Sequence, residues 1–107
     1  METREYSDIQ EKEIAKYLNG KVQANSGGGK FNGGDIIVDD FMIEAKTTEK
    51  AKSSFTIKKE WIDKVKKQSI EQQKAFWSLA FRFEPTGEDY FIINKQLLKD
   101  LVRSKSE

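Results

Sequence analysis

Cysteine and histidine are both absent from these 107 residues. Without cysteine there are no disulfides, no thiolate metal ligands and no thiol nucleophile, which fits a reducing interior. Without histidine, His-ligated zinc centres, Ser-His-Asp triads and imidazole general bases are excluded as well. Any catalysis must run on Asp, Glu, Lys, Tyr, Ser or a hard cation held by oxygen ligands. No apolar run approaches the ~20 residues of a membrane span, and METREYSDIQ lacks the pattern of a signal peptide. The expectation is a cytoplasmic protein without a membrane partner.

What is present is charge, unevenly spread. The net charge is only +1. Residues 1–45 carry 5 Lys/Arg and 9 Asp/Glu, residues 46–75 carry 9 lysines and 4 acids, and residues 76–107 balance at 5 and 5. A basic middle segment follows an acidic first part. It reads either as a polyanion-binding surface or as a solvated lysine-rich helix face. The length suits one domain, able to bury about two-thirds of its unfolded surface.

Punctuation divides the chain into elements. Ser7-Asp8-Ile9-Gln10 has the form of a capping box, which starts a helix that Asn19-Gly20 ends. Lys21–Asn25 is a short strand, and Asn25–Gly34 (NSGGGKFNGG) is a glycine-rich loop. Ile36–Val38 and Phe41–Ile43 are the arms of a hairpin turning at Asp39-Asp40. Thr56 is placed to cap a helix that runs to about Lys74, with Ile57, Trp61, Ile62 and Val65 as its apolar stripe. Phe76–Phe83 and Tyr90–Ile93 are strands separated by the turn Pro85-Thr86-Gly87. Asn94 caps a last helix striped by Leu97, Leu98, Leu101 and Val102. The order α-β-β-β-α-β-β-α is a mixed sheet covered by helices, in the α/β or α+β class.

The hairpin brings carboxylates together. With Val38 opposite Phe41, Asp35 falls opposite Glu44, on the same side of the sheet. Glu44 and Lys46 share that side because strand side chains alternate. Facing like charges destabilise a ladder, and a divalent cation between them would offset the repulsion. The plainer alternative makes Asp35 the end of the glycine loop and Glu44–Lys46 a surface ion pair. On the first helix, Glu11 shares the apolar face of Ile14, Ala15 and Leu18, whereas Glu13 lies about 200° round from it. An acid in a core-facing stripe either snorkels at its edge or reaches a cation. Glu11, Asp35 and Glu44 with Lys46 thus form an oxygen-only set suited to Mg²⁺ or Mn²⁺.

A helix Glu (Glu11 in QEKEIAKYL), a small-residue loop (Asn25–Gly29), Gly34-Asp35, Glu44-Ala45-Lys46 and then a basic helix resemble the PD-(D/E)XK nuclease superfamily. Within it, the small archaeal-type and phage Holliday junction resolvases are the nearest in pattern, over roughly residues 7–80. The Pro-Asp of the superfamily name is Gly34-Asp35 here, and the C-terminal part is short, so no dimer surface is placed by analogy. The resemblance implies a restriction-endonuclease-like sheet and a Mg²⁺-dependent endonuclease, with Mn²⁺ able to substitute. It implies that Asp35, Glu44 and the Ala45 carbonyl bind the metal, and that Glu11 supports it directly or through water. Lys46 would orient or activate the attacking water and stabilise phosphate charge. The products would be a 5′-phosphate and a 3′-hydroxyl. The implied setting is recombination or repair of branched DNA by a homodimer, in a prokaryotic cell or a phage-infected host.

Around this set, Ser26 and Lys30 of the glycine loop, and Lys50, Lys52, Lys58 and Lys59 beyond the hairpin, are candidate DNA contacts. Solvent-exposed positions are the alternative for each. Gln68 on the basic helix is a further candidate for the metal's surroundings. Trp61, Phe76, Trp77, Phe81, Phe83 and Phe91 are expected in the core, with base stacking as the alternative. The rival functions are another PD-(D/E)XK activity (restriction-like, nicking or end-processing) and a noncatalytic DNA-binding protein on the same fold.

Overall fold

The structure, a computed structural model, describes residues 3–23 and 35–106. Among these, helix α1 (Thr3–Leu18) leads to strand β1 (Lys21–Val22), then β2 (Ile36–Val38) and β3 (Phe41–Lys46). Helix α2 (Lys59–Glu71), β4 (Phe76–Phe81), β5 (Tyr90–Ile92) and helix α3 (Lys95–Ser106) follow. The strands form one mixed sheet in the order β1-β2-β3-β4-β5. β3 and β4 are parallel and every other neighbouring pair is antiparallel. A parallel pair needs a long crossover, and α2 supplies it. The fold is therefore mixed α+β, and its elements follow the expected order.

Two side-chain layers sandwich the sheet. Ile14 and Ala15 of α1 pack on Ile36, Ile43 and Ala80. By strand alternation, Met42, Glu44 and Leu79 point to the opposite face, where α2 lies against β3 and β4 and buries Val65. No aromatic ring of the described residues is fully buried; the fully buried large side chains are Arg82, Ile36, Met42, Leu79, Gln10 and Val65. This corrects the expected aromatic core. Trp61, Phe76, Trp77, Phe81 and Phe83 are half-buried and Phe91 is 40% exposed. With only two to six residues per strand, the space between layers is filled by aliphatic chains, and the rings are displaced to its margins.

Helix limits differ from the cap signals in an instructive way. α1 begins upstream of Ser7, so Ser7 lies inside it rather than at its N-cap. The run TREYSDIQEKEIAKYL contains no glycine or proline, and the helix propagates through the serine. Its end is as expected: Asn19 is left-handed (φ 60°), Gly20 N–H donates to the Ala15 carbonyl (2.7 Å) and Asn19 N–H to that of Lys16 (3.4 Å). This is a Schellman stop. Gly20 is needed for a different reason, close approach. A Cβ there would stand 2.4 Å from Val38 Cγ2 and 2.6 Å from the Ile37 carbonyl oxygen. α2 starts after Lys58 with no side-chain cap, so Thr56 does not cap it. The preceding segment is held away from helical conformation, with Lys52 N–H bonded to the Phe83 carbonyl at 2.9 Å. Asn94 does cap α3, its Oδ1 accepting from Leu97 N–H at 2.9 Å. Of the α3 stripe only Leu97 is buried.

Candidate functional site

The hairpin register is Val38↔Phe41, Ile37↔Met42 and Ile36↔Ile43. One step further, Asp35 faces Glu44. Both are buried, and so is Glu11. Glu44 Oε2 lies 3.4 Å from Lys46 Nζ and 3.7 Å from Lys64 Nζ. Glu44 Oε1 is buried, and with both acids ionised it has no hydrogen-bond partner. Gln68 Oε1, one α2 turn beyond Lys64, is buried and unpartnered too. Two unsatisfied buried oxygens on neighbouring elements are costly and are the kind of donors that Mg²⁺ accepts.

Protonation reports the same crowding. Burial, then the hydrogen bond to Glu44 and its negative charge, push the Asp35 carboxyl up to about 8; Lys64 pulls the other way. Burial, then the charges of Asp8 and Glu44, push Glu11 up to about 7. Desolvated carboxyls beside like charges hold protons that a cation can displace. Among the described residues, no three or more His, Cys, Asp or Glu side chains are grouped so as to hold a metal ion by themselves. Asp35 and Glu44 face each other, and the nearby Glu11 charge adds to the upward push on Asp35. Two carboxylates with remaining positions for water and phosphate suit Mg²⁺, which keeps much of its hydration. The β2–β3 ladder ends at Ile36↔Ile43, so the Ala45 backbone lies past it on that side.

Lys46 is held from two further directions. Its Nζ sits 4.7 Å from the centre of the Trp61 ring. Its carbonyl accepts from Gln10 Nε2 at 2.9 Å, and the same Nε2 donates to Asp89 Oδ1 at 2.9 Å. Asp89 is paired with Arg82, which is 1% exposed and also reaches Glu13 and the Pro85 carbonyl. Burial disfavours the charged Arg82, but Asp89 and Glu13 more than offset it and raise its pKa.

The surrounding basic positions fall into three groups. Lys50 and Lys52 are exposed and line a hollow of about 340 Å³ with Thr47, Thr48 and Glu49. Lys58 lies over Trp61 at 5.7 Å. Lys59 is turned into an exposed pair with Asp63 at 2.8 Å, which is weak. Ser26, Lys30 and Gly34 lie outside the described residues. Reading the sequence missed Lys64, Gln10, Arg82 and Asp89. Lys64 was legible in principle, because it stands four residues before Gln68 and shares its helix face. The others were not, since a lone arginine in FWSLAFRF carries no pattern that identifies its partner.

No family model, curated protein or solved structure matches the chain.

Proposed function

We propose that the chain is a Mg²⁺-dependent, structure-selective DNA endonuclease of the PD-(D/E)XK kind, a Holliday junction resolvase acting as a homodimer. The observation that carries this reading is the buried Asp35–Glu44 pair with two lysines converging on one Glu44 oxygen. A protein that only bound DNA would have no use for buried acids set beside its basic surface. The mixed sheet flanked by helices supports the restriction-endonuclease-like view of the fold.

In this reading Asp35, Glu44 and the Ala45 carbonyl hold Mg²⁺, and Glu11 and Gln68 hold its waters. Bound there, the ion would supply a more acidic water and would offset charge at the scissile phosphate. Lys46, steadied by Trp61 and Glu44, orients the attacking water and faces the phosphate. Lys64 holds Glu44 in place. Lys50, Lys52 and Lys58 contact flanking phosphates, giving salt-dependent binding. Ser26 and Lys30 are proposed as contacts from the glycine loop. Attack by water leaves a 5′-phosphate and a 3′-hydroxyl. Paired cuts in opposed strands require two sites related by a two-fold axis, which is why a homodimer is proposed.

The test mixes wild type and Glu44→Ala with a labelled four-way junction, a flap, linear duplex and single strand, in Mg²⁺ or EDTA. Symmetric paired nicks in the junction alone, lost with EDTA or Glu44→Ala, are expected. Equal cutting of every substrate would remove the junction assignment and leave a general nuclease. Binding without cutting in Mg²⁺ or Mn²⁺ would mark a noncatalytic DNA-binding protein.

A further inference from the structure

Beside Lys46 the half-buried rings form a continuous strip. Trp61 meets Phe55 at 6.3 Å, Phe55 meets Phe81 at 5.3 Å, and Phe81 meets Phe83 and Tyr90 at 5.5 and 5.9 Å. These rings are not core, since none is fully buried and Tyr90 is 39% exposed. The strip has an electrostatic direction. At the Trp61 end, Lys46 and Lys58 lie over the indole. At the far end, Tyr90 Oη bonds Glu88. The Lys52 backbone N–H donates to the Phe83 carbonyl, so the exposed Lys50–Lys52 segment meets the strip at Phe83. Aromatic faces with ammonium groups at one end match a nucleotide, whose base stacks while its phosphates meet the lysines.

We infer that the Trp61–Phe55 end of this strip is a stacking platform for an unpaired nucleotide, joined through Lys46 to the Asp35–Glu44 pair. The inference deepens the nucleic-acid reading above and rests on it. It narrows the substrate class to DNA with an unstacked segment next to the cut, as at the branch point of a four-way junction, rather than continuous duplex. In duplex DNA the bases are already stacked on one another and present no free face to Trp61.

The sequence holds two tryptophans, so Trp77→Phe leaves Trp61 as the only indole. This protein is titrated in EDTA, where nothing can be cut, with a labelled oligothymidylate and with a duplex of the same length. Saturable quenching of Trp61 emission by oligothymidylate but not by duplex is expected. Trp61→Leu should weaken oligothymidylate binding about tenfold, Trp61→Phe should retain most of it, and duplex affinity should move little in either. Unchanged emission while the oligothymidylate binds, equal loss on both ligands in Trp61→Leu, or no binding at all would each overturn the platform. If circular dichroism shows Trp61→Leu unfolded, the emission titration alone decides. Failure of the nuclease reading looks different: no Mg²⁺-dependent cleavage, with the quenching intact.

Discussion

Asp35 and Glu11 are acids that the folded chain holds protonated near neutrality, with values of about 8 and about 7. Unfolded, each returns to the ordinary carboxyl range near 4. Between those limits the native state binds more protons than the unfolded state, so stability falls as pH rises. The metal-free protein should therefore be most stable below about pH 4 as far as these two groups are concerned, and lose that contribution by about pH 8. Mg²⁺ should reverse the loss at the alkaline end by replacing the protons, and its binding should release them. Thermal melts across this range in EDTA and in Mg²⁺ measure the first effect. Titration calorimetry in buffers of different ionisation enthalpy measures the second. Stability that rises with pH in EDTA, or no response to Mg²⁺, would count against the site. Much at this scale was legible in the sequence. The pairing of Asp35 with Glu44 followed from a two-residue turn, and the inward side of Glu11 from helical spacing. Lys64 and the Gln10–Asp89–Arg82 contacts were not, because they depend on how separate elements dock.

At the scale of elements, the stop of α1 and its close seat on β2 meet at Gly20. The Cβ clash with the Ile37 carbonyl involves backbone, which cannot swing aside like a side chain. Gly20→Ala should cost about 1–3 kcal/mol, read as a lower midpoint in urea with an unchanged slope. A neutral result would mean that α1 can shift off β2. Element type and order could be read from periodicity and turn residues, whereas helix starts could not. Ser7 and Thr56 both carry N-cap chemistry, yet one was absorbed into a continuous helix and the other left in an extended segment tied to Phe83. Local capping contributes only about 1 kcal/mol, and the docking of the flanking chain outweighs it.

Across the whole molecule, apolar surface remains exposed. Leu98, Leu101 and Val102 of α3 are 54%, 51% and 57% exposed. A hollow of about 250 Å³, lined chiefly by apolar side chains including Leu18, Val38, Phe41 and Phe91, opens on the sheet face that carries α1. Exposed apolar stripes of this kind mark association surfaces, and the proposed homodimer can use them. Leu101→Glu should shift the protein toward monomer in sedimentation and reduce paired nicking of a junction more than single nicking. An unchanged mass would place the dimer elsewhere. The sequence showed the α3 stripe but not its exposure, since amphipathic spacing is the same whether a helix faces its own core or a partner. Among the described residues no helix is long and apolar enough to cross a membrane.

The Gln10 amide joins Lys46 to Asp89, residues 36 and 79 positions away from it. Contacts that distant carry a larger loop-closure entropy than local ones. During synthesis, the N-terminal helix and the hairpin emerge long before Arg82 and Asp89 do. A ribosome-bound chain that ends within β4 would hold all four residues Glu11, Asp35, Glu44 and Lys46, yet lack the Asp89 that steadies Gln10. The anchor of the lysine strand through Gln10 and Asp89 thus becomes available only after the hairpin and α2 have been synthesised.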